Sequence, residues 1–307
     1  MLNSWLLLVL AAPLFSAFIN YIDKYLVEIF KIDHNINLLT VFSSILGLPV
    51  ALIIYSINPS VVSVTKIDAT FLIVNGMLYM SGFYLYIVAL EKEDVSTIAP
   101  LFQLSSIVSH ILGYIFLGEV LSVLQFLAVL MILLGSLLLT IEHAEDQRLI
   151  LKKQVFFLML LSSSIYAITG LIFKYLNSRN SFLELSFWEY LGMFSVSLIF
   201  LSLDKKIRFD FMRFWYRSPV KLLALNGLNE IFAVLSKSFT NFALLLSPIA
   251  LTYFVSEGFQ PIYVLVLGVL ISKLFPKYIS DSFDNKKLLQ KAVALCVVLG
   301  GTYFLTS

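Results

Sequence analysis

Ten apolar stretches of about 20 residues follow one another along the 307-residue chain. About 20 helical residues cross a bilayer core about 30 Å thick, because an α-helix rises 1.5 Å per residue. Isolated strands cannot satisfy their backbone groups in lipid, and the alternating runs of a membrane barrel are not found in the sequence. The sequence therefore predicts an all-α integral membrane protein with ten transmembrane helices. The predicted helices are 4–23, 36–57, 69–90, 95–117, 120–141, 155–176, 182–203, 220–245, 248–272 and 287–306.

The composition leads to the same class of protein. Hydrophobic residues make up 60% of the chain and charged residues 13%, and the mean hydropathy is +0.93. Soluble domains are about 45–50% apolar and about 25% charged. The first stretch has the length of a signal peptide, but it lacks a basic start and continues past any cleavage site into Tyr21 and Lys24. We interpret it as the first helix.

Short phrases recur in the two halves of the chain. LQFLAVLMILLGS at 124–136 returns as LQKAVALCVVLGG at 289–301, and the Lys-Tyr-Leu of 24–26 returns at 174–176. Leucine-rich matches also arise by chance between membrane helices, but several in the same order favour an internal repeat. The sequence therefore predicts two five-helix units, 1–144 and 145–307. The halves would be inverted about an axis in the membrane plane, because a unit with an odd number of helices reverses its orientation when repeated.

The stretch at 88–139 carries features of a known family. It combines an Ala-Leu helix end, a Leu-rich helix, the Leu117-Gly118-Glu119 turn and a Gln125 followed by Gly135. In these features it resembles the second part of an EamA repeat from the drug/metabolite transporter superfamily. The second half keeps its Ala-Leu, Ser-Pro and Gln-Pro pairs, but has Ile-Ser-Lys at 271–273 in place of the turn. The resemblance implies a metabolite transporter and leaves the substrate open.

Polar side chains form a stripe on the eighth predicted helix. Asn226, Glu230, Lys237 and Asn241 follow one another at steps of 4, 7 and 4, within about 60° of helical arc. Asn229 lies beside them. An ionisable group at the centre of a membrane helix costs at least about 2.5–3.5 kcal/mol, so such residues are candidates for function. The stripe either binds adjacent helices together or faces a polar cavity, and we favour the cavity.

Glu257 is the leading candidate for a proton site. Tyr253, Glu257 and Gln260 share a face of the ninth predicted helix, and Pro261 leaves the carbonyl of Glu257 without its helical donor. A carboxyl group in this setting could take up and release a proton, whereas Gln103, its partner in the repeat, cannot ionise. The alternative is a protonated glutamate that donates a hydrogen bond to a neighbouring helix.

Three cationic or titratable residues have two interpretations each. His110 shares a face with Gln103 and could relay protons, although a lone histidine among apolar residues more often serves packing. Lys24 and Lys174 close the first helix of each half. They either extend to the membrane interface or present cations to an anionic substrate. Tyr166, two turns before Lys174, and Asn75 on the third predicted helix complete the candidate cavity residues.

Two further segments are predicted to lie at the membrane interface. Trp188 and Glu189 stand near the start of their helix, where aromatic and charged residues anchor membrane proteins. The basic and aromatic stretch at 205–221 lies between two membrane helices. This position favours contact with anionic lipid headgroups over nucleic acid.

The sequence lacks the motifs of several catalytic classes. It has no phosphate-binding loop of an ATPase and no HExxH or His/Cys cluster, and His34, His110 and His143 are far apart in the sequence. Cys296 is the single cysteine and forms no disulfide within the chain. We expect no enzyme activity, no cofactor and no metal.

The basic residues predict an orientation. Seventeen of the 21 Lys and Arg residues lie in or beside the odd-numbered loops. By the positive-inside rule these loops are cytoplasmic, and both termini lie on the outer, non-cytoplasmic side of the inner membrane.

Together these features predict a secondary transporter that moves a small polar metabolite, an amino acid being one candidate, by alternating access with proton coupling or exchange. The first, third, fourth, sixth, eighth and ninth predicted helices would line its cavity. The expected partners are the substrate and membrane lipid, and the sequence leaves a homodimer open. Two alternatives remain: a flippase-like carrier of a lipid-linked substrate, and a non-catalytic membrane assembly subunit.

Overall fold

The computed structural model describes residues 4–33, 37–93, 95–140, 153–274 and 285–306. These residues form helices and short turns, with no strand among them. The helices are α1 (Ser4–Asp33), α2 (Asn37–Ile45), α3 (Gly47–Ile57), α4 (Lys66–Leu90), α5 (Val95–Ile98), α6 (Gln103–Leu117), α7 (Val123–Thr140), α8 (Lys153–Leu176), α9 (Phe182–Leu203), α10 (Lys205–Arg217), α11 (Val220–Leu246), α12 (Ile249–Leu274) and α13 (Asn285–Thr306), with 3-10 turns at Pro59–Ser63 and Ala99–Phe102.

Among the described residues, seven helical segments are long and apolar enough to cross a membrane: Trp5–Ile29, Asn37–Ile57, Lys66–Leu90, Ala99–Leu117, Lys153–Leu176, Phe182–Leu203 and Ile249–Leu270. The predicted class of multi-pass helical membrane protein is confirmed. At 27 residues α11 is about 40 Å long. It is not among the seven, because the polar stripe lowers its hydropathy. The division into ten spans and two repeats stays a prediction, and the repeat boundary at 144 lies outside the described residues.

Two predicted helices are interrupted where a proline removes a backbone donor. The predicted helix 36–57 divides into α2 and α3 at Leu46, because Pro49 has no N–H for the carbonyl of Ile45. The predicted helix 95–117 divides into α5, a 3-10 turn that contains Pro100, and α6. At its far end α6 stops at Gly118, which has a φ of 65° and donates its N–H to Gly113.

Two helices extend beyond the predicted spans. α1 continues to Asp33 rather than ending at residue 23, because no helix-breaking residue follows Asp23. The predicted interfacial stretch contains α10, which starts where the Asp204 carboxylate accepts the backbone N–H groups of Lys206 and Ile207 at 2.8 and 3.1 Å. α10 buries Phe214 against its neighbours and leaves aromatic side chains exposed on its opposite face.

Glycines bring α4 and α9 into backbone contact. A Cβ atom on Gly76 would collide with the carbonyl oxygen of Glu189, and one on Gly192 would collide with that of Ile73. Small residues are what allow membrane helices to approach this closely. The approach draws the start of α9, and with it Glu189, into the bundle.

The remaining helices pack around the centre of the bundle. α1 lies against α11 and α12, α8 lies against α4 and α6, and α7 packs along α13. The contact of α1 with α11 and that of α8 with α4 are equivalent in the predicted repeat, because each joins the first helix of one half to the third helix of the other. This packing leaves a polar space in the middle.

Candidate functional site: a charged cavity within the helix bundle

A cavity of about 150 Å³ lies between α1, α4, α8, α11 and α12, with one side chain from α9 and one from the 3-10 turn before α6. Its charged lining residues are Asp23, Glu189, Lys237 and Glu257. Its aromatic lining residues are Tyr79, Phe83, Tyr86, Phe102, Tyr166 and Tyr253. The predicted cavity helices are present, and α9 is an addition that the sequence analysis did not anticipate.

Glu189 has donors on both carboxylate oxygens and is the centre of a group of side chains that we call the closed cluster: Glu189, Lys237, Asn75 and Asn241. The Lys237 Nζ lies 3.1 Å from Glu189 Oε1. Asn75 Nδ2 donates to the same oxygen at 2.8 Å, and Asn241 Nδ2 donates to Oε2 at 3.3 Å. Lys237 also lies 3.8 Å above the ring centre of Tyr79. The closed cluster therefore links α4, α9 and α11 through one neutral ion pair.

The prediction that Glu189 anchors the chain at the membrane interface is wrong. Glu189 is 1% exposed, because the glycine contact between α4 and α9 holds it inside the bundle. Its neighbour Trp188 is partly buried and donates its indole N–H to the carbonyl of Val61 at 2.9 Å. The one sequence signal for this arrangement is the pair of glycines, Gly76 and Gly192, on two helices distant in sequence.

Asp23 was missed by sequence reasoning and is 2% exposed. Asn229 Nδ2 donates to its Oδ1 at 2.7 Å, while its Oδ2 accepts no hydrogen bond from the described residues, although the Tyr86 hydroxyl lies near the carboxyl group. One turn earlier, Asn20 accepts the Tyr86 hydroxyl at 3.2 Å. The predicted helix ended at residue 23, which placed Asp23 at the interface. The longer α1 places it inside.

Glu257 lies on the cavity wall, as do Tyr253 and Gln260 of the same helix face. Its Oε2 is buried, and the described residues offer that oxygen no hydrogen-bond donor. Tyr253 is held in place by donating its hydroxyl to the carbonyl of Tyr166 at 2.9 Å. We call Asp23 and Glu257 the open carboxylates, because each keeps one buried oxygen without a donor.

The polar stripe of α11 divides between two spaces. Lys237 and Asn241 line the main cavity, whereas Asn229 and Glu230 line an adjoining cavity of about 40 Å³. Glu230 accepts a hydrogen bond from the hydroxyl of Ser43. Asn226 is 1% exposed but lines neither cavity.

Lys24 and Lys174 do not line the cavity. Lys24 Nζ donates to the carbonyls of Leu90 and Glu93 at 3.2 and 3.1 Å, just past the end of α4. Lys174 Nζ lies 2.6 Å from the carboxylate of Glu119 and 2.5 Å from the carbonyl of Ser247. Both lysines therefore hold helix ends together rather than face the space predicted for a substrate.

Three other candidates lie behind the wall. Asn75 is turned to Glu189, and Gln103 is 4% exposed at the start of α6. The ring of His110 packs 6.5 Å from that of Phe254. Within the described residues no group of three His, Cys, Asp or Glu side chains is placed to hold a metal ion. His34 and His143 lie outside the described residues.

The family comparison agrees with the resemblance seen in the sequence. Residues 3–141 match the EamA-like transporter family. No curated protein matches the chain. A solved structure described as "Crystal structure of protein" is similar in fold, with a TM-score of 0.68 and 14% sequence identity over 100% of this chain and 97% of that one. At this identity the likeness establishes the fold alone.

Proposed function

We propose that this chain, whose residues 3–141 match the EamA-like transporter family, is a secondary transporter that carries a small polar metabolite across the cytoplasmic membrane by alternating access. The observation that carries the proposal is the pair of open carboxylates on a buried cavity. Ionisable groups inside a membrane bundle are costly, and where they occur they commonly mark a substrate or ion pathway. Asp23 and Glu257 have the position that such a pathway requires.

A further part of the proposal is that transport is coupled to the binding of a proton. Transport against a gradient requires that substrate or proton bind one facing state more tightly than the other, since equal affinity shifts no equilibrium. Glu257 is the group we assign to proton binding. The charged groups that share the cavity with it are Asp23 on α1, Glu189 on α9 and Lys237 on α11. Because Lys237 is bound to Glu189, no lining cation among the described residues competes with a proton or substrate for Glu257.

The last part of the proposal is the orientation of the chain in the membrane. We propose that the end of the bundle with Lys24 faces the cytoplasm and the end with Lys174 faces outside, as the positive-inside rule favours. Lys24 and Lys174 each bind residues at a helix end, and in this orientation the two ends lie at opposite faces of the membrane. Glu119 also accepts the backbone N–H of Ile249 at 2.8 Å, so one carboxylate holds α6, α8 and α12 together at that end.

The test is transport by the purified full chain in liposomes. Charge movement would be recorded on concentration jumps of amino acids, amines, organic acids and sugar phosphates, with and without a pH gradient. We expect a substrate-dependent signal that Glu257→Gln removes. Glu28→Gln is the matched control, because the Glu28 side chain is 63% exposed and outside the cavity.

Full activity and an unchanged pH profile in Glu257→Gln would contradict the assigned proton site. A parallel Glu230→Gln variant tests whether the adjoining cavity takes part. Loss of transport in both variants would extend the pathway to the adjoining cavity, and loss in Glu257→Gln alone would confine it to the main cavity.

A further inference from the structure

We propose that the cavity selects an organic cation: a protonated amine on an apolar or aromatic body, with no carboxylate of its own. This inference rests on the proposed transport function and names the substrate class for the same cavity. It depends on three features of the lining, which are its charge, its unsatisfied atoms and its aromatic walls.

The charge of the lining is negative when the open carboxylates are ionised. Its described acidic residues are Asp23, Glu189 and Glu257, and its described basic residue is Lys237. Glu189 and Lys237 neutralise each other at 3.1 Å. The remaining charge belongs to the open carboxylates, which lie on the same cavity from α1 and α12. Among the described lining residues, a ligand that enters this space therefore meets these two carboxyl groups and no cation that is free to balance an anion.

The unsatisfied atoms point to a ligand rich in donors. Asp23 Oδ2 and Glu257 Oε2 are buried oxygens that accept no hydrogen bond from the described residues. Buried polar atoms are normally bonded, so a ligand that supplies the missing donors is favoured. An ammonium group carries up to three N–H donors and can serve both acceptors. Asn20 adds a buried Nδ2 donor without a partner, which suits a hydroxyl or carbonyl oxygen on the ligand.

The aromatic walls suit the rest of such a ligand. The rings of Tyr79 and Tyr166 lie 5.1 Å apart, and Phe102 lies 6.2 Å from Tyr166 and 5.3 Å from Tyr86. They form one continuous band along the cavity. Ring faces attract cations electrostatically and also bury apolar groups. An ammonium already occupies one of these faces, since Lys237 Nζ lies 3.8 Å above the Tyr79 ring centre.

A substrate carboxylate has no comparable place in this cavity. It would face the open carboxylates, and its natural partner, Lys237, is bound to a buried glutamate. Drawing Lys237 away would leave Glu189 as an uncompensated buried charge, which is strongly unfavourable. The same cavity therefore favours an amine over the amino acid from which the amine is formed by loss of the carboxylate.

The test uses a matched set of ligands on the purified full chain in detergent: tyramine, tyrosine and 4-ethylphenol, with binding measured by calorimetry. Tyramine and tyrosine differ by a carboxylate, and tyramine and 4-ethylphenol differ by the ammonium. We expect tyramine to bind about 100-fold more tightly than tyrosine, because like charges in apposition are strongly unfavourable. 4-Ethylphenol should also bind much more weakly than tyramine.

Variants locate the site. Glu257→Gln and Asp23→Asn should each weaken tyramine binding by about tenfold or more, because each removes a buried charge partner. Glu28→Gln should bind as the wild type does. Equal binding of tyramine and tyrosine by the wild-type chain would overturn the inference, whether or not the variants fold.

The outcomes also separate this inference from the proposed function. Transport of a sugar phosphate or amino acid that depends on Glu257, with no binding of tyramine, would overturn the cation selectivity and leave the transporter standing. Tyramine binding that depends on Glu257, without movement of any tested substrate into liposomes, would support the cation site and contradict the transport function.

Discussion

Two groups of buried charge share one cavity and differ in how completely they are bonded. In the closed cluster, Glu189 receives Lys237 and Asn75 on one oxygen and Asn241 on the other. The open carboxylates, Asp23 and Glu257, each keep a buried oxygen without a donor in the described residues. A satisfied ion pair has nothing left for a ligand, whereas an unsatisfied carboxyl is completed by one.

This difference distinguishes cavity residues that stabilise the fold from cavity residues that we assign to transport. The closed cluster connects three helices and behaves as part of the scaffold. The open carboxylates lie on α1 and α12, which pack against each other and against α11. Leaving such groups unbonded lowers stability, and this cost is expected at functional sites rather than in scaffolding.

The largest expected effect is in the closed cluster. Lys237→Met should lower the free energy of unfolding by about 3–5 kcal/mol, because it leaves Glu189 buried without its counter-ion. Unfolding by titration with sodium dodecyl sulfate in mixed micelles would measure it. The double variant Lys237→Met with Glu189→Gln should recover much of the loss. Wild-type stability in Lys237→Met would contradict the structural role that we assign to the closed cluster.

The next effect concerns the open carboxylates and should appear in transport rather than in folding. Glu257→Gln should reduce the rate of substrate uptake by about 100-fold, the lower end of what a positioned proton-transfer group contributes. Its stability should be unchanged or raised, because a costly ionisable group has been removed. Uptake into liposomes and the micelle titration together measure both. Lowered stability with normal uptake would show that Glu257 serves the fold, and would contradict its assignment to transport.

A smaller effect tests how Glu189 is placed. Gly76→Ala should destabilise the protein by about 1–3 kcal/mol, because its Cβ would collide with the backbone of α9. Gly227→Ala is the matched control, since a Cβ there meets nothing within 4 Å. It should raise stability by up to about 1 kcal/mol through helix propensity. Equal effects of the two changes would contradict the close packing of α4 and α9.

The smallest effect extends the comparison to the two helix ends. Glu119 and Lys174 form a partly shielded pair, with side chains 16% and 19% exposed, whereas Glu28 beside Lys24 is 63% exposed. Glu119→Gln should therefore lower the free energy of unfolding by about 1–2 kcal/mol, because Glu119 also accepts the N–H of Ile249. Glu28→Gln should change it by less than about 0.5 kcal/mol. Equal free energies of unfolding for Glu119→Gln and Glu28→Gln in the micelle titration would contradict the expected difference between the two helix ends.

The sequence predicted those features that depend on local pattern. The bounds of α9 were predicted as Phe182–Leu203, and the steps between Asn226, Glu230, Lys237 and Asn241 correctly indicated a buried face on α11. Periodicity is enough for such statements, because a helix repeats every 3.6 residues whatever its neighbours are.

Features that depend on distant contacts could not be predicted in the same way. Glu189 was assigned to the interface from its distance to the helix start, but its burial results from glycines on two helices far apart in sequence. Asp23 was the last residue of the predicted first helix, whereas α1 continues ten residues beyond it to Asp33 and carries Asp23 into the bundle. The breaks at Leu46 and before Gln103 had a local signal in Pro49 and Pro100, which the prediction of unbroken helices overlooked.

Chemical labelling of the cavity carboxyl groups tests the central claim most directly. Dicyclohexylcarbodiimide modifies carboxyl groups in apolar surroundings when they are accessible and not held in an ion pair, and mass spectrometry of the peptides identifies the labelled residue. The structure predicts label on Glu257 and Asp23, and none on Glu189. Label on Glu189 at the level of Glu257, or its confinement to Glu189, would contradict the distinction between the closed cluster and the open carboxylates.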